Sequence, residues 1–248
     1  MRIGIFSDIH ANYEALSTVV SAYKKENIDI YFCLGDIVGY GADPDLCCSI
    51  VKDMVERCVI GNHDAAVTDK MDYSYYYDSA KAVLDLHKSL LSKENMEWLS
   101  SLKFKEIIEI DKDLQIQLSH GSPLRPQEFE YIFTLEQARE LLYNFDDLPK
   151  LNFIGHSHLY RVYALYPGEV VEVNATKFGI RKDCKYIISV GSVGQPRDYD
   201  NRAGYCILDT DKMEFEIKRV AYDIETAAQK IKDAGIDPTF ANRLFIGI

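Results

Sequence analysis

Short apolar runs recur along the chain, and each one ends in small or polar residues. Six of these runs have the length and the β-branched or aromatic content of buried strands: RIGIF, IDIYFCL, RCVI, LQIQL, LNFI and KYIISV. The residues that follow them read SDIH, GD, GNHD, SHGS, GHSH and GSVGQPR. Because sites in open α/β sheets form outside the carboxyl ends of strands, this pattern predicts a functional site there.

Helical spacing of apolar residues separates several of these runs. The first such stretch, Ala15 to Tyr23, predicts a β-α-β start. Residues 73–102 are again helical in pattern, with Asp78 and Ser92 as predicted N-caps. Two more helices are predicted over LEQARELLYNF and DIETAAQKIKDAG, the latter ending at Gly235. The late segments AGYCILDTD and EFEIKRVAY alternate more clearly, as edge or antiparallel strands do.

The organisation of the chain favours one domain. We find no internal repeat and no linker of Pro, Gly and Ser, so we predict a single α/β domain over residues 1–248 with a helical insertion at about 70–103. The net charge of −11 argues against a general affinity for nucleic acid or for an anionic membrane. The six cysteines show no CxxC spacing, and no export signal is apparent, so we expect free thiols and a cytoplasmic location.

Side chains suited to metal binding concentrate at the predicted strand ends. Five of the six histidines lie there, and only His87 lies elsewhere, in a helical stretch where we expect it on the surface. The candidate ligands are Asp8, His10, Asp36, Asn62, His120, His156 and His158. Carboxylate, imidazole and amide groups without thiolates suit Mn²⁺, Fe or Zn²⁺. The set is too large for one four-coordinate ion but fits two ions that share a carboxylate, a recurrent arrangement for displacement at phosphorus.

Five motifs, in order, resemble those of the calcineurin-like metallophosphoesterases: DIH, GDIVGYG, GNHD, HGS and GHSH. The stretches GDIVGYGADP, HGSP and GSVGQPRD are similar to the small prokaryotic phosphodiesterase or diadenosine tetraphosphatase-like branch. The resemblance implies a four-layer α/β/β/α sandwich of two mixed sheets flanked by helices. Gly39 and Tyr40 stand where protein phosphatases of this superfamily have Asp and Arg, which argues against a Ser/Thr protein phosphatase.

The resemblance also implies roles for individual residues. It assigns one ion to Asp8, His10 and His158, a second ion to Asn62, His120 and His156, and the bridging position to Asp36. Two divalent ions are expected, Mn²⁺ foremost, with Fe, Zn²⁺, Ni²⁺ and Mg²⁺ as alternatives. His63 is the expected general acid, with Asp64 orienting or charging it. Two other interpretations stay open: His63 only bonds substrate, and Asp64 only caps the next turn.

The expected activity is hydrolysis of a small phosphodiester or phosphomonoester, nucleotides and dinucleoside polyphosphates included, by a hydroxide that bridges the metals. Arg197 and Arg125 are candidate phosphate-binding residues. Tyr73, Tyr75, Tyr76 and Tyr77 either stack on substrate or, as we favour, pack a helix. A catalytically silent scaffold and a nuclease are the alternative functions. The sequence leaves the oligomeric state open.

Overall fold

Two six-stranded mixed sheets form the centre of the computed structural model, which describes residues 1–112 and 114–248. The strands are β1 (Arg2–Phe6), β2 (Ile30–Cys33), β3 (Arg57–Cys58), β4 (Lys105–Asp111), β5 (Leu114–Ser119), β6 (Leu151–Ile154), β7 (Tyr160–Tyr166), β8 (Glu169–Glu172), β9 (Lys177–Gly179), β10 (Lys185–Val190), β11 (Ala203–Asp209) and β12 (Glu214–Val220). The first sheet has the order β3-β2-β1-β11-β12-β9, and the second has the order β4-β5-β6-β10-β7-β8.

Helices cover the outer faces of the sheets. They are α1 (Tyr13–Tyr23), α2 (Pro44–Met54), α3 (Asn62–Val67), α4 (Asp78–Leu90), α5 (Lys93–Ser101), α6 (Leu135–Glu140), α7 (Ile224–Asp233) and α8 (Pro238–Ile246). A 3₁₀ turn spans Pro126–Glu128, and a 3₁₀ segment, Leu141–Asp147, continues directly from α6.

Apolar side chains fill three interfaces between these layers. Between the sheets, Ile5 and Phe32 of the first pack in one cluster with Phe153 and Ile188 of the second. Outside the first sheet, Leu16 of α1 and Val51 of α2 belong to a second cluster. Outside the second sheet, Ala138 of α6 packs with Tyr163 and Ile187. The molecule is therefore the four-layer α/β/β/α sandwich that the resemblance implied.

All six predicted strands form, although β3 has only two residues. Ser92 caps α5 by accepting a hydrogen bond from the backbone N–H of Asn95, as predicted. The prediction for Asp78 was wrong: Tyr77 occupies the cap position, and Asp78 opens α4 with its carboxylate paired to Lys81. Gly235 follows α7 with φ of 71°, the left-handed conformation that commonly ends helices.

The two late segments are antiparallel, but β11 is a central strand. It pairs with β1 on one side and β12 on the other, and every residue from Ala203 to Asp209 is buried. Helix α6 is shorter than predicted, because Asn144 leaves helical geometry within the 3₁₀ segment that follows. The range 70–103 holds α4 and α5. Its description as an insertion stays a prediction.

The parallel strands bring their carboxyl ends to one place. In the first sheet β1, β2 and β3 run parallel, and in the second β5 and β6 do so. All six cysteines are free thiols, and all except the half-buried Cys58 are buried. Within residues 1–112 and 114–248, no helix combines the length and apolarity needed to cross a bilayer.

Candidate metal centre

The candidate ligands occupy the loops at the carboxyl ends of strands from both sheets. Strands β1, β2 and β3 are followed by Asp8 and His10, by Asp36, and by Asn62, respectively, in the first sheet. Strands β5 and β6 of the second sheet are followed by His120 and by His156 and His158. All seven side chains are buried. The structure therefore brings together the complete set that the sequence indicated.

One group of possible ligand atoms comes from Asp8, His10 and His158. Nε2 of His158 lies 3.1 Å from Nε2 of His10 and 3.3 Å from Oδ1 of Asp8. Two ligands at about 2.1 Å from one ion, at tetrahedral or octahedral angles, are roughly 3.0–3.4 Å apart. These separations therefore fit side chains that share a metal ion.

A second group comes from Asp36, His120 and His156. Nε2 of His120 lies 3.2 Å from Oδ2 of Asp36, and the same carboxylate oxygen lies 3.7 Å from Nε2 of His10 in the first group. The Asp36 carboxylate is thus within reach of both groups, as a shared ligand would be.

Backbone carbonyls fix the orientation of three of these imidazoles. Nδ1 of His10 faces the carbonyl of Val38 at 3.0 Å, Nδ1 of His120 faces that of Leu34, and Nδ1 of His158 faces that of Gln195, the last two at 2.6 Å. Each Nδ1–H donates to its carbonyl, so each Nε2 is directed at the centre of the site, where it offers a lone pair once it is deprotonated. Histidine ligands of metals are oriented in this way.

Several polar atoms are left without a partner in the part of the chain that the structure describes. Oδ1 of Asp8, Oδ1 of Asn62 and Nε2 of His120 are buried and form no hydrogen bond. Buried polar groups are nearly always satisfied, so this concentration of free acceptors marks a place for a cation. The residues present therefore fit divalent metal ions.

The electrostatics of the site differ between the ligands. Burial disfavours the charged form of His120, but the Asp36 and Asp8 carboxylates outweigh burial and raise the pKa of His120 to about 10, so this ring must release a proton when it ligates a metal ion. Burial lowers the pKa of His10, His156 and His158 well below its usual range, which keeps their imidazoles neutral and able to ligate at pH 7. Burial, together with the nearby Asp36 carboxylate, raises the pKa of Asp8 to about 7. Positive charge placed between these carboxylates would relieve that repulsion and favour their ionised forms.

Five of the seven candidate ligands have a left-handed backbone. The φ angles of these residues run from 49° to 65°. The five residues are Asp8, His10, Asp36, His156 and His158. Positive φ is uncommon outside glycine, and such strain of about 1–3 kcal/mol per residue concentrates at functional sites. Neighbouring glycines leave space for this geometry: a Cβ on Gly61 would lie 2.1 Å from Oδ1 of Asp36.

His63 lies beside the ligands, as expected of a catalytic group. One of its ring nitrogens groups with ligand atoms of His10 and Asp36, and the ring borders the cleft that opens onto the site. Burial lowers the pKa of His63 to about 4, so the ring is neutral at pH 7. Its Nδ1 has no hydrogen-bond partner among the residues described.

Asp64 does not hold the His63 ring. Its Oδ1 accepts hydrogen bonds from the backbone N–H groups of Ile37 and Val38, and its Oδ2 accepts one from Gly61. The carboxylate therefore fixes the loop after β2, which carries Asp36, against the start of α3. No contact between Asp64 and the His63 ring supports the interpretation that Asp64 orients or charges His63.

The two candidate arginines lie in different places. Arg197 lines the cleft with His63 and the ligands, and its guanidinium donates to Oε1 of Gln195 at 2.9 Å. The neighbouring Asp198 forms an ion pair with Arg219 and leaves Arg197 without a carboxylate partner among the described residues. Arg125 lies in a neighbouring groove, where Glu128 and Glu130 pair with it. The structure does not bring Arg125 to the metal centre.

Four residues contribute to the site in ways that the sequence did not reveal. Tyr76 accepts a hydrogen bond from the side-chain amide of Asn62 at 2.6 Å. Tyr131 stacks on His156 with ring centroids 3.9 Å apart, and Tyr40 contacts both His10 and His63. The expectation of a surface role for His87 was wrong: its ring is fully buried and bonds Gly39 and Gly41. These contacts depend on tertiary neighbours and leave no local pattern.

A buried cluster of imidazoles and carboxylates at the strand ends of an α/β/β/α sandwich defines a class, the metal-dependent hydrolases of this fold. The sequence profile described as calcineurin-like phosphoesterase matches residues 1–190. The chain belongs to the calcineurin-like phosphoesterase family and is a metal-dependent phosphoesterase.

Similarity to individual proteins extends over the whole chain. A protein of Methanocaldococcus jannaschii, called Uncharacterized protein MJ0912, is 38% identical over 99% of this chain and 98% of its own length. The crystal structure of a metallophosphoesterase from Sphaerobacter thermophilus is 32% identical, with a TM-score of 0.83 over 100% of this chain and 99% of that one. The crystal structure of hypothetical protein PH1004 from Pyrococcus horikoshii is 18% identical, with a TM-score of 0.76 over 100% of this chain and 98% of that one.

Proposed function

We propose that the protein hydrolyses a small phosphodiester or phosphomonoester at a centre of two divalent metal ions. The observation that carries this proposal is the pair of ligand groups, Asp8 with His10 and His158, and Asp36 with His120 and His156. The Asp36 carboxylate faces both groups, and buried ligand atoms in each lack a hydrogen-bond partner in the described chain. Asn62 would complete the second group through its free Oδ1.

The proposed ions would add positive charge at the site of an acidic chain. Mn²⁺ is the ion we favour for this mixture of carboxylate, imidazole and amide ligands, with Fe, Zn²⁺, Ni²⁺ and Mg²⁺ as alternatives. When bound, the two ions supply positive charge for phosphoryl oxygens and activate water as the nucleophile.

The chain's own residues bind and position the phosphoester. Arg197 is placed to bind phosphoryl oxygens, because its guanidinium lines the cleft and its Nε has no partner in the described chain. His63 is placed on the wall of the same cleft to hydrogen-bond the leaving oxygen. Its ring is neutral at pH 7 without substrate, and the negative charge of a bound phosphate would raise its pKa and allow it to protonate that oxygen as well. The cleft has a volume of about 490 Å³, which suits a small substrate.

The two alternative functions have less support. A silent scaffold has no need to keep seven buried ligands, five of them with a strained backbone, and here every ligand position is filled. A nuclease needs cationic side chains along a polynucleotide. Among the described residues that line the cleft, Arg197 is the only arginine or lysine, and the net charge is −11.

The test is hydrolysis of bis(p-nitrophenyl) phosphate and p-nitrophenyl phosphate by chelator-stripped protein, before and after Mn²⁺ is added. We expect activity only with metal, two bound ions per chain by elemental analysis, and a rate that falls about 10²- to 10⁴-fold in His63→Gln. The variant should retain both ions, which separates a catalytic defect from loss of the centre. Two bound ions with no hydrolysis of either ester would contradict the proposal.

A further inference from the structure

The cleft over the metal centre has aromatic walls on two sides. The first wall comes from the segment before α4 and contains Tyr75, Tyr76 and Tyr77. The second comes from the loop after β5 and contains Phe129 and Tyr131. A larger groove of about 1080 Å³ lies on the other side of Tyr131, but no candidate ligand lines it. The cleft between the aromatic walls is therefore the one that a phosphoester at the metals would occupy.

The four tyrosines of the segment before α4 divide into two kinds. Tyr73 packs against the core and bonds Asp85, and the hydroxyl of Tyr76 is engaged by Asn62. Tyr75 and Tyr77, in contrast, are 72% and 88% exposed. The packing role that we favoured for the whole run therefore accounts for Tyr73 and, in part, for Tyr76. It does not account for the two exposed rings.

The second wall is anchored directly to a candidate ligand. Tyr131 stacks nearly parallel on His156, with an interplanar angle of 15°, yet 44% of the residue is exposed. Phe129 is buried, with its ring centroid 6.3 Å from that of His156. The Tyr131 ring is thus fixed in orientation beside the metal centre while part of its surface faces solvent.

Exposed rings gathered at one cleft are informative, because large exposed aromatic surface tends to mark binding sites. Apart from the candidate ligands and His63, the charged groups of the cleft are few: Arg197 is the sole lysine or arginine among the described lining residues, and Glu128 is an acidic group on the second wall. One cation suits one phosphoryl group. The remaining lining offers flat aromatic surface, which a second phosphoryl group would not use but a planar ring would.

We propose that this cleft binds a planar aromatic group attached to the reacting phosphate, with that group stacked against Tyr75, Tyr77 and Tyr131. The inference rests on the proposed function for the position of the phosphate, and it adds the chemical class of the ester. A nucleobase and a simple aryl group share this chemistry. Stacking of a base on an aromatic side chain is typically strong enough to change affinity by about tenfold.

Phosphonates test the proposal without hydrolysis, because their P–C bond resists the enzyme. Isothermal titration calorimetry of the Mn²⁺-loaded protein would compare methylphosphonate, cyclohexylphosphonate, phenylphosphonate and the methylenephosphonate analogue of AMP. We expect the two planar ligands to bind about tenfold more tightly than methylphosphonate, and cyclohexylphosphonate to bind less tightly than phenylphosphonate. A preference for the AMP analogue identifies a nucleobase as the occupant, and equal affinity with phenylphosphonate identifies a simple aryl group.

Substitution of tyrosines in the first wall tests whether these side chains cause the preference for planar ligands. In the double variant Tyr75→Ala/Tyr77→Ala, the advantage of the planar ligands should fall to about threefold or less, while affinity for methylphosphonate stays unchanged. Tyr143→Ala is the matched control, because Tyr143 is 89% exposed and lines only the neighbouring groove. Equal binding of planar and non-planar ligands by the wild-type protein, or the same loss in Tyr143→Ala, would overturn the proposal.

The outcome is separable from that of the proposed function. Hydrolysis of p-nitrophenyl esters with no advantage for planar phosphonates would leave the phosphoesterase proposal intact and refute the aromatic cleft. Selective binding of planar phosphonates, lost in the double variant, would support the cleft even if the tested esters were not hydrolysed.

Discussion

The side-chain amide of Asn62 shows how one hydrogen bond can prepare a ligand. The Tyr76 hydroxyl accepts from Nδ2, so the amide is held with Oδ1 as its remaining polar atom, buried and unpartnered in the described chain. An oxygen in this position can bind a cation, whereas the NH₂ group of a rotated amide would repel one. Tyr76 therefore acts as a positioning residue for Asn62.

Replacing Tyr76 with Phe should weaken metal binding at the second ligand group. The change removes the acceptor for Nδ2 and leaves the ring in place, so the amide loses its fixed orientation. Loss of such an outer partner typically costs about 10- to 100-fold in metal affinity or activity. Titration of stripped protein with Mn²⁺, followed by calorimetry, would measure the affinity of the weaker of the two ions.

Tyr73→Phe is the control for this prediction. It removes the same hydroxyl from the same run of tyrosines, but that hydroxyl bonds Asp85, away from the ligands. Mn²⁺ affinity should therefore stay within about twofold of wild type. Equal losses in the two variants would show that the hydroxyl on Tyr76 has no specific effect on Asn62.

Among individual residues, the sequence identified those that belong to a motif. It did not identify those whose role depends on contacts with residues distant in the chain. The GHSH motif identified His156 and His158 as candidate ligands, and both rings face the site, although from a left-handed loop and in two different ligand groups. The contacts of Asp64 could not be predicted, because its three donors include Ile37 and Val38, distant in sequence and joined to it only by the fold. The same holds for Tyr131, whose partner His156 comes from another strand end.

At the scale of elements, α4 is tied to the loop after β2 through one buried histidine. Nδ1 of His87 accepts from the backbone N–H of Gly39, and Nε2–H donates to the carbonyl of Gly41. Between these two glycines lies Tyr40, whose ring contacts His10 and His63. The helix therefore sets the position of a loop that packs against the metal centre, and only the neutral ring makes both bonds.

The His87 bonds predict a pH-dependent contribution to stability. Burial lowers the pKa of His87 to about 4 in the folded protein, below its usual value of 6.5. Between about pH 4 and 6.5 the unfolded chain therefore binds more protons than the folded protein. The stabilisation that the His87 bonds provide is complete above pH 6.5 and declines as the pH falls towards 4. The wild-type free energy of unfolding should fall by about 1 kcal/mol more than that of His87→Gln between about pH 6 and 5.

Urea unfolding of both proteins in the presence of chelator would measure this difference. The chelator removes the separate effect of metal release, and the other buried histidines contribute equally to the two proteins. If the free energies of unfolding of wild type and His87→Gln change in parallel with pH, the result would contradict a pKa of about 4 for His87.

Elements with a strong periodic pattern were predictable, and those decided by pairing were not. The run RIGIF becomes β1 as expected, since its apolar side chains are buried on both faces of a central strand. The alternation in AGYCILDTD suggested an edge or antiparallel strand, and β11 is antiparallel to both β1 and β12; its central position and complete burial could not be predicted from the alternation. Strand β9, with three residues, is too short for any periodicity to show.

For the molecule as a whole, the candidate centre joins the two sheets. Asp8, Asp36 and Asn62 belong to the first sheet's loops, and His120 and His156 to those of the second. Nε2 of His120 lies 3.8 Å from Oδ1 of Asp8 across this junction. Ions bound here would strengthen the junction of two layers that meet through apolar packing and through hydrogen bonds such as that from Nδ1 of His120 to the carbonyl of Leu34.

Metal binding should therefore stabilise the folded protein as a unit. Because the ligands assemble only in the folded state, Mn²⁺ at 100 times its dissociation constant should add about 2.7 kcal/mol per site to the free energy of unfolding. Differential scanning calorimetry of stripped protein, with and without Mn²⁺, would measure the rise in Tm.

Asp36→Asn provides the matched control for metal stabilisation. It keeps the size of the side chain and its Oδ1 acceptor for the backbone N–H of His63, but it removes the charge that both groups share. The increase in Tm with Mn²⁺ should be much smaller in this variant. An equal increase in both proteins would place the stabilising ions elsewhere.

The separation between ligand loops and cleft walls has an evolutionary consequence. The ligands follow the strands, whereas Tyr75, Tyr77 and Tyr131 belong to connecting segments that can change in length and composition without altering a strand end. Relatives could therefore inherit the same hydrolytic centre and diverge in the esters they accept. Differences in specificity within the family should accordingly map to residues 71–77 and 122–133 rather than to the ligands.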